Sequence, residues 1–390
     1  MKNSSTHFQN LDEMRSRSPY PKKLLSNLGQ VHRMQNAGLE IESEEEAVHW
    51  LQTVGYFHLK AYLSCLKNPE HRSNYLPNAK FSDATNLLEW ERKLRSVLLE
   101  QIGKVELSLK AAIIEIVGSD SGDLYLSEET FDTRGLRNKP ARDGRSLTQW
   151  ESFEKFLDNK IKDFQSGSKF PFVNGFLNRY SDRRIPIWML IETFTFGEVV
   201  EFYQSLHKIY KEPIASVMAN PNAADGKLLS VEFEKVLIAL KEWRNSAAHF
   251  QAFFDKSFPF PHQVAFRMNF TNSGYFPSLR SRERKCKTYG IVLMLMFLSP
   301  SLQREYNWTS EVESLLRNFP PGGAKLDIGV IGAPKNWHLQ FPWIDPPEFL
   351  LDDTSPAKKK DGIAAKKRRA AKEKDKRNKD IKSFRSRRKN

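Results

Sequence analysis

Near the end of an amphipathic stretch from Val231 to Phe254, the chain reads Arg244-Asn245-Ser246-Ala247-Ala248-His249. An arginine and a histidine five positions apart, with an amide beside the arginine, form a side-chain set that can cut RNA without a metal. An imidazole with an ordinary pKa of about 6.5 takes up and releases a proton near neutrality. A guanidinium is a fixed cation whose planar fork fits phosphate oxygens. Asn245 can orient either partner or hold a phosphate. In the reaction these groups suit, a ribose 2′-hydroxyl attacks the adjacent phosphate. His249 serves as general base or acid, and Arg244 stabilises charge developing on the phosphate oxygens. The product is a 2′,3′-cyclic phosphate, and DNA resists because it lacks the nucleophile.

Steps of about 100° per residue put Arg244 and His249 some 140° apart on one helix, with a rise of about 7.5 Å. They do not stack on each other, whereas Asn245 and His249, four apart, share a face. One copy of the motif therefore makes a poor enclosed site. Two copies about a two-fold axis make a better one, and a two-fold dimer is the commonest oligomer. Ala247 and Ala248 would keep the surface thin where two helices approach, so a homodimer is expected. The plain alternatives are a surface histidine hydrogen-bonded to Asn245 and a solvated arginine.

Other residues offer less. Glu106 and Lys104 can face a cleft but read better as solvated, and Glu192 reads as a salt-bridge partner. Arg183 and Arg184, just before Pro186, are candidate RNA contacts in what is otherwise a charged loop. Tyr56, Phe57, Tyr62 and Trp188 can stack bases, although core packing is the better reading. Pro320-Pro321-Gly322-Gly323 lacks the Gly-Lys-Ser/Thr that a phosphate loop requires. His, Asp and Glu show no metal-ligand clustering, so neither a metal nor a cofactor is expected.

The elements that must position the motif are helical. Pro21 opens a segment with Leu24, Leu25, Leu28 and Val31 at helical spacing, punctuated by Gly38. Ser43 and Glu46 form a capping-box pattern before Ala47, Trp50, Leu51 and Val54. Ser82 or Asp83 caps the longest helix, which runs to about Val117. Its apolar stripe includes Leu87, Leu94, Leu98 and Val105, with Glu91, Arg92, Lys93 and Arg95 between. Helical spacing resumes from Trp150 to Phe164 and again after Pro186, with Gly197 as an interruption. The motif helix is expected over 231–254 and a last core helix over about 283–298. A short segment around 311–316 follows. Alternating strand patterns are almost absent.

The expected organisation is a flexible N-terminus (1–20), an N-terminal helical subdomain (21–80), a helical bundle with insertions (81–300), a wrapping segment (301–357) and a disordered basic tail (358–390). The chain has 390 residues, 39% of them hydrophobic, and a formal charge of +14. From Lys358 to Asn390 there are 17 Lys and Arg against 4 Asp and Glu, so nearly all the excess lies in that tail. Such a segment cannot bury enough apolar surface to fold alone, and it attracts polyanions through counterion release. Lys366, Lys367, Arg368 and Arg369 are therefore candidate RNA contacts, a solubilising tail being the plain alternative. The two cysteines, Cys65 and Cys286, match no zinc or redox spacing, which fits a reducing cytoplasm. The longest apolar run, Ile291 to Leu298, falls far short of the roughly 20 residues that span a bilayer.

Several segments together resemble the Abi-like family of bacterial abortive-infection proteins (the AbiD and AbiF type), within the HEPN superfamily. Gly38-Leu39-Glu40-Ile41 leading to Gly55-Tyr56-Phe57-His58-Leu59-Lys60-Ala61-Tyr62 looks like its N-terminal signature. Phe81 to Val117 resembles its long helix. Pro186-Ile187-Trp188-Met189-Leu190-Ile191-Glu192 with Phe196-Gly197-Glu198 resembles its next helix pair, and Trp243 to His249 its Arg-Asn-x-x-Ala-His element. The resemblance covers roughly residues 20–300. It implies an all-α fold, a HEPN-like helical bundle with an N-terminal helical extension. It also implies RNA cleavage at a site built across a dimer, in bacterial defence against phage. Some relatives also bind a structured non-coding RNA, so a non-catalytic RNA-binding protein is the alternative expectation, and a protein scaffold the next. One departure stands out: where the family often has basic and aromatic residues after the histidine, this chain has Phe250-Gln251-Ala252-Phe253-Phe254, with Lys256 the first cation.

Overall fold

A computed structural model of the chain describes residues 24–118, 122–132, 139–140, 146–147, 149–166, 170–180, 185–218, 230–258, 287–298, 308–320, 326–339 and 343. The described residues are overwhelmingly helical, and the fold is all-α. Strand pairing among them amounts to the two-residue antiparallel contact of Lys139–Pro140 with Ser146–Leu147 and isolated bridges such as Glu40 with Lys80. No helix among the described residues is long and apolar enough to cross a membrane. The described residues fall into two compact units, 24–88 and 89–343.

In the first unit, α1 (Asn27–Asn36) is capped by Ser26, whose hydroxyl accepts from the Gly29 N–H. Only Val31 and Met34 of α1 are buried. Leu24, Leu25 and Leu28, expected to share the apolar stripe, are exposed: Leu24 and Leu25 precede the Ser26 cap, and Leu28 lies within α1 on its solvent side. Helix α2 (Glu44–Thr53) starts where the capping pattern placed it, with Ser43 accepting from the Glu46 N–H at 3.2 Å. Gly55, at φ +83°, breaks the chain between α2 and α3 (Tyr56–Leu63), a conformation that side-chain-bearing residues rarely adopt. Lys80 ties the segment before the next helix to Glu40 and Glu42, each at 3.1 Å.

Helix α4 (Phe81–Val117) is 37 residues long, and Asp83 accepts from the Lys80 N–H at its start. The second unit continues with α5 (Gln149–Gln165), α6 (Pro171–Arg179) and the single-turn α7 (Ile187–Leu190). It is completed by α8 (Phe196–Ser205), α9 (Lys208–Met218), α10 (Ser230–Ala248), α11 (Thr288–Phe297) and α12 (Trp308–Arg317). Gly197 lies inside the first turn of α8 and does not interrupt it. The break comes earlier, at the 3-10 turn Ile191–Thr193, and the Glu198 carboxylate accepts from the Thr195 N–H at 2.7 Å to start α8.

Helix α10 is the centre of this unit and packs against α8, α9 and α11. Its inward face carries Phe233, Val236, Leu237, Leu240, Trp243 and Ala247, all fully buried. At its N-terminal end the Tyr203 hydroxyl donates within reach of the Ser230 carbonyl, and its ring meets Phe233 edge-on at 5.3 Å. Helix α11 is apolar nearly all round, as a helix enclosed on every side must be. Beyond α12 the chain covers α11 with aromatics: Trp343 donates to the Tyr289 hydroxyl at 2.9 Å and meets Trp337 edge-on at 5.1 Å.

Candidate functional site

The motif helix ends sooner than its periodicity suggests. Expected to reach Phe254, it stops at Ala248, and His249 is its C-terminal cap. The His249 N–H still bonds the Asn245 carbonyl at 3.1 Å. The Phe250 N–H then bonds Ala247 O, and the Gln251 N–H bonds Ser246 O, both at 3.0 Å. This pair of bonds is the Schellman arrangement that satisfies the last carbonyls of a helix. It requires a left-handed residue at the position after the cap. Glycine usually stands there; here Phe250 does, at φ +53°. A bulky residue in that conformation costs about 1–2 kcal/mol.

What holds the turn is a buried ion pair on α4. Glu91 is 0% exposed, and its carboxylate accepts from Arg95 Nη2 at 2.6 Å and from the N–H groups of Phe253 and Phe254 at 2.9 and 2.8 Å. Arg95 Nη2 also donates to the Gln251 carbonyl at 3.2 Å. The Arg95 guanidinium lies 5.2 Å from the ring centres of both Phe250 and Phe253. Its buried Nε finds no hydrogen-bond partner among the described residues, and the two ring faces are what it meets. Phe253 is secured from the other side, with its ring 4.8 Å from Trp243 and its carbonyl accepting from the Thr288 hydroxyl. Thr288 in turn accepts from the Trp243 indole N–H at 3.3 Å. Lys256 folds back on the motif and donates to Ser246 Oγ at 2.6 Å and to Gln251 Oε1 at 2.9 Å.

This framework sorts the six motif residues. Ser246 and Ala247 are buried; Arg244 is half-buried; Asn245, Ala248 and His249 are exposed. The expectation that both alanines thin the outer surface holds for Ala248 alone, since Ala247 belongs to the core. The Asn245 side-chain oxygen faces Arg244 Nη1 at 3.5 Å, at the limit of a hydrogen bond. The plain reading of His249, an imidazole bonded to the Asn245 side chain, is not what the structure has. Among the described residues, no side-chain hydrogen bond holds the imidazole and no carboxylate pairs with Arg244. Arg183, Arg184, Lys366, Lys367, Arg368 and Arg369 lie outside the described residues.

Glu91 and Arg95 are the functional residues that the sequence reading missed. The sequence reading set them only among the charges that fall between the apolar positions of α4, yet both are buried. A signal was present: Glu91 falls four after Leu87, three before Leu94 and seven before Leu98, which is the register of the apolar stripe. Of the remaining charges, Glu192 stands near a lysine as read, whereas Lys104 and Glu106, read as solvated, are half-buried, and Glu106 lies beside the buried Lys110. Lys104 pairs with Glu100 at 2.9 Å, and Lys110 stands 3.7 Å from Glu106 and 3.9 Å from Glu192. Of the aromatics, Tyr62 is core as expected. Phe57 and Trp188 are not: Phe57 is 79% exposed and Trp188 43%. Among the described residues no three His, Cys, Asp or Glu side chains come together as a metal site would need.

Fold and site together define an all-α protein that presents an arginine, an asparagine and a histidine at the C-terminal end of its central helix. The family model described as Abi-like protein matches residues 49–255, more than half of the chain, and the match ends six residues beyond His249. This chain belongs to the Abi-like family. Neither the curated proteins nor the solved structures contain a match to it.

Proposed function

We propose that this protein is a metal-independent endoribonuclease of the HEPN type, acting in abortive infection, the phage defence that membership of the Abi-like family suggests. The observation that carries the reading is the division within the motif. Trp243, Ser246 and Ala247 anchor it in the core, while Asn245 and His249 face outward and Arg244 stands half-buried beside them, none of the three held by a competing carboxylate among the described residues.

In the reaction, the ribose 2′-oxygen forms a bond to phosphorus and the bond from phosphorus to the 5′-oxygen breaks. The 2′-hydroxyl proton passes to a general base, and the departing 5′-oxygen takes a proton from a general acid. One RNA fragment ends in a 2′,3′-cyclic phosphate and the other in a 5′-hydroxyl. His249 supplies one of these proton transfers, and the Arg244 guanidinium meets the charge that grows on the non-bridging oxygens. Asn245, within reach of Arg244, orients the guanidinium or holds a phosphate. Arg244 lies within the helix and His249 just beyond its end, five positions apart, so a homodimer that brings two motifs together about a two-fold axis supplies both proton transfers and two cations to one linkage.

The basic tail suits a polyanion such as RNA and is equally compatible with a second reading, an RNA-binding protein that does not cut. Purified wild type, Arg244→Ala and His249→Ala, incubated with RNA in the presence of a chelator, separate the two. Cleavage by wild type to cyclic-phosphate ends, lost in both variants with RNA binding kept, is the expected result. RNA bound but uncut by wild type makes the protein a binder.

A further inference from the structure

We propose that Phe250 is a nucleobase platform: its outer face stacks a base of single-stranded RNA next to the linkage that His249 acts on. The inference deepens the ribonuclease reading and rests on it for the identity of the ligand. Phe250 follows His249 directly and is 61% exposed, whereas Phe253 in the same segment is fully buried. It occupies the left-handed position of the Schellman turn, where glycine would close the same hydrogen bonds without strain. The contact with Arg95 gives Phe250 one role in the fold, yet it leaves most of the residue in solvent at a position that favours glycine, and strain of this kind points to use.

The ring is also supported as a platform must be. The Arg95 guanidinium stands 5.2 Å from its centre, fixed by the Glu91 carboxylate and the Gln251 carbonyl. A cation against one region of an aromatic ring draws electron density toward it and leaves exposed ring surface for a stacking partner. The Arg95–Glu91 pair is itself buried, so the support does not move with solvent. Stacking on an aromatic ring tolerates any base, so the platform would position RNA without dictating sequence.

The test uses the full chain carrying His249→Ala, so that bound RNA stays intact. The probe is a short single-stranded RNA of mixed sequence containing 2-aminopurine, whose fluorescence falls when it stacks. Binding is read at high salt, which suppresses phosphate contacts by the basic tail. Phe250→Gly removes the ring and the strain together; Phe250→Leu keeps apolar cover over Arg95 without a π face; Phe250→Trp keeps the face. The expected result is an affinity about 5- to 150-fold lower for the glycine and leucine variants, the fold-change of one stacked base. Quenching should also be lost in both, and both affinity and quenching should be retained by tryptophan. Thermal melting of Phe250→Gly should stay close to that of the parent, because the strain it relieves and the Arg95 contact it removes are of similar size and opposite sign. Glycine and leucine variants that bind and quench like the parent overturn the platform, as does a parent that binds no RNA. If these variants lose binding while wild type fails to cleave, the platform stands and the nuclease reading falls. If wild type cleaves and the variants bind normally, the reverse holds.

Discussion

Replacing Glu91 with glutamine removes one charge and almost no volume, so it isolates the electrostatics of the clamp. In the wild type the carboxylate neutralises a buried Arg95 at 2.6 Å and accepts from two backbone N–H groups. Glutamine keeps one acceptor oxygen, so the Arg95 charge stays buried without compensation and one of the three donors loses its acceptor. Breaking a buried pair from one side costs about 3–5 kcal/mol. At about 2–4 °C per kcal/mol for a unit of this size, melting should fall by roughly 6–20 °C. The companion variants are Arg95→Met, which also leaves one buried charge, and the double variant Glu91→Gln with Arg95→Met, which leaves none. The double variant should be more stable than the sum of the single costs implies, by on the order of 2 kcal/mol or more. Urea denaturation of all four proteins gives the coupling, and amide exchange at Phe253 and Phe254 reports the clamp locally. A Glu91→Gln cost below about 1 kcal/mol, or additive single effects, would refute the claim that this pair holds the turn under His249.

Further perturbations test the surrounding frame. Thr288→Val leaves the Trp243 indole N–H and the Phe253 carbonyl without their shared partner and should cost about 1–3 kcal/mol in urea denaturation, while Trp243 fluorescence shifts. Gly122→Ala should destabilise by about 2 kcal/mol or more in the same measurement, because the added carbon would lie 2.4 Å from the Trp188 ring at a residue with φ +70°. Removing residues 358–390 should weaken RNA binding and flatten its dependence on salt concentration, read from affinities across a salt series, since 17 of the cations lie there.

The helices were legible wherever apolar spacing and caps agreed. The Ser43 cap stands where the capping-box pattern put it and α4 ends at Val117 as expected, whereas α4 begins at Phe81, ahead of the Ser82 and Asp83 expected to cap it. Two kinds of feature escaped. Leu24 and Leu25 have helical spacing but sit ahead of the Ser26 cap, and spacing alone carries no information about where the first turn is satisfied. The end of α10 was misplaced because Phe250, Phe253 and Phe254 continue an apolar pattern that reads as helix. The left-handed turn at Phe250 is imposed by tertiary contacts from Glu91 and Arg95, more than 150 positions away in the chain. The same distance explains the site: Arg244, Asn245 and His249 could be named from their types, but the pair beneath them was hidden among ordinary helix charges. Only the apolar register of Glu91 betrayed it.

The residues that steady the motif outrun the stretch that marks the family. The match closes at residue 255, whereas Trp243 relies on Thr288, and the helix bearing Thr288 is shielded by Trp337 and Trp343. A fragment trimmed to the shared portion would keep every reactive side chain and still lose the wall behind them. It would expose a greasy seam along α10 and clump rather than report on activity.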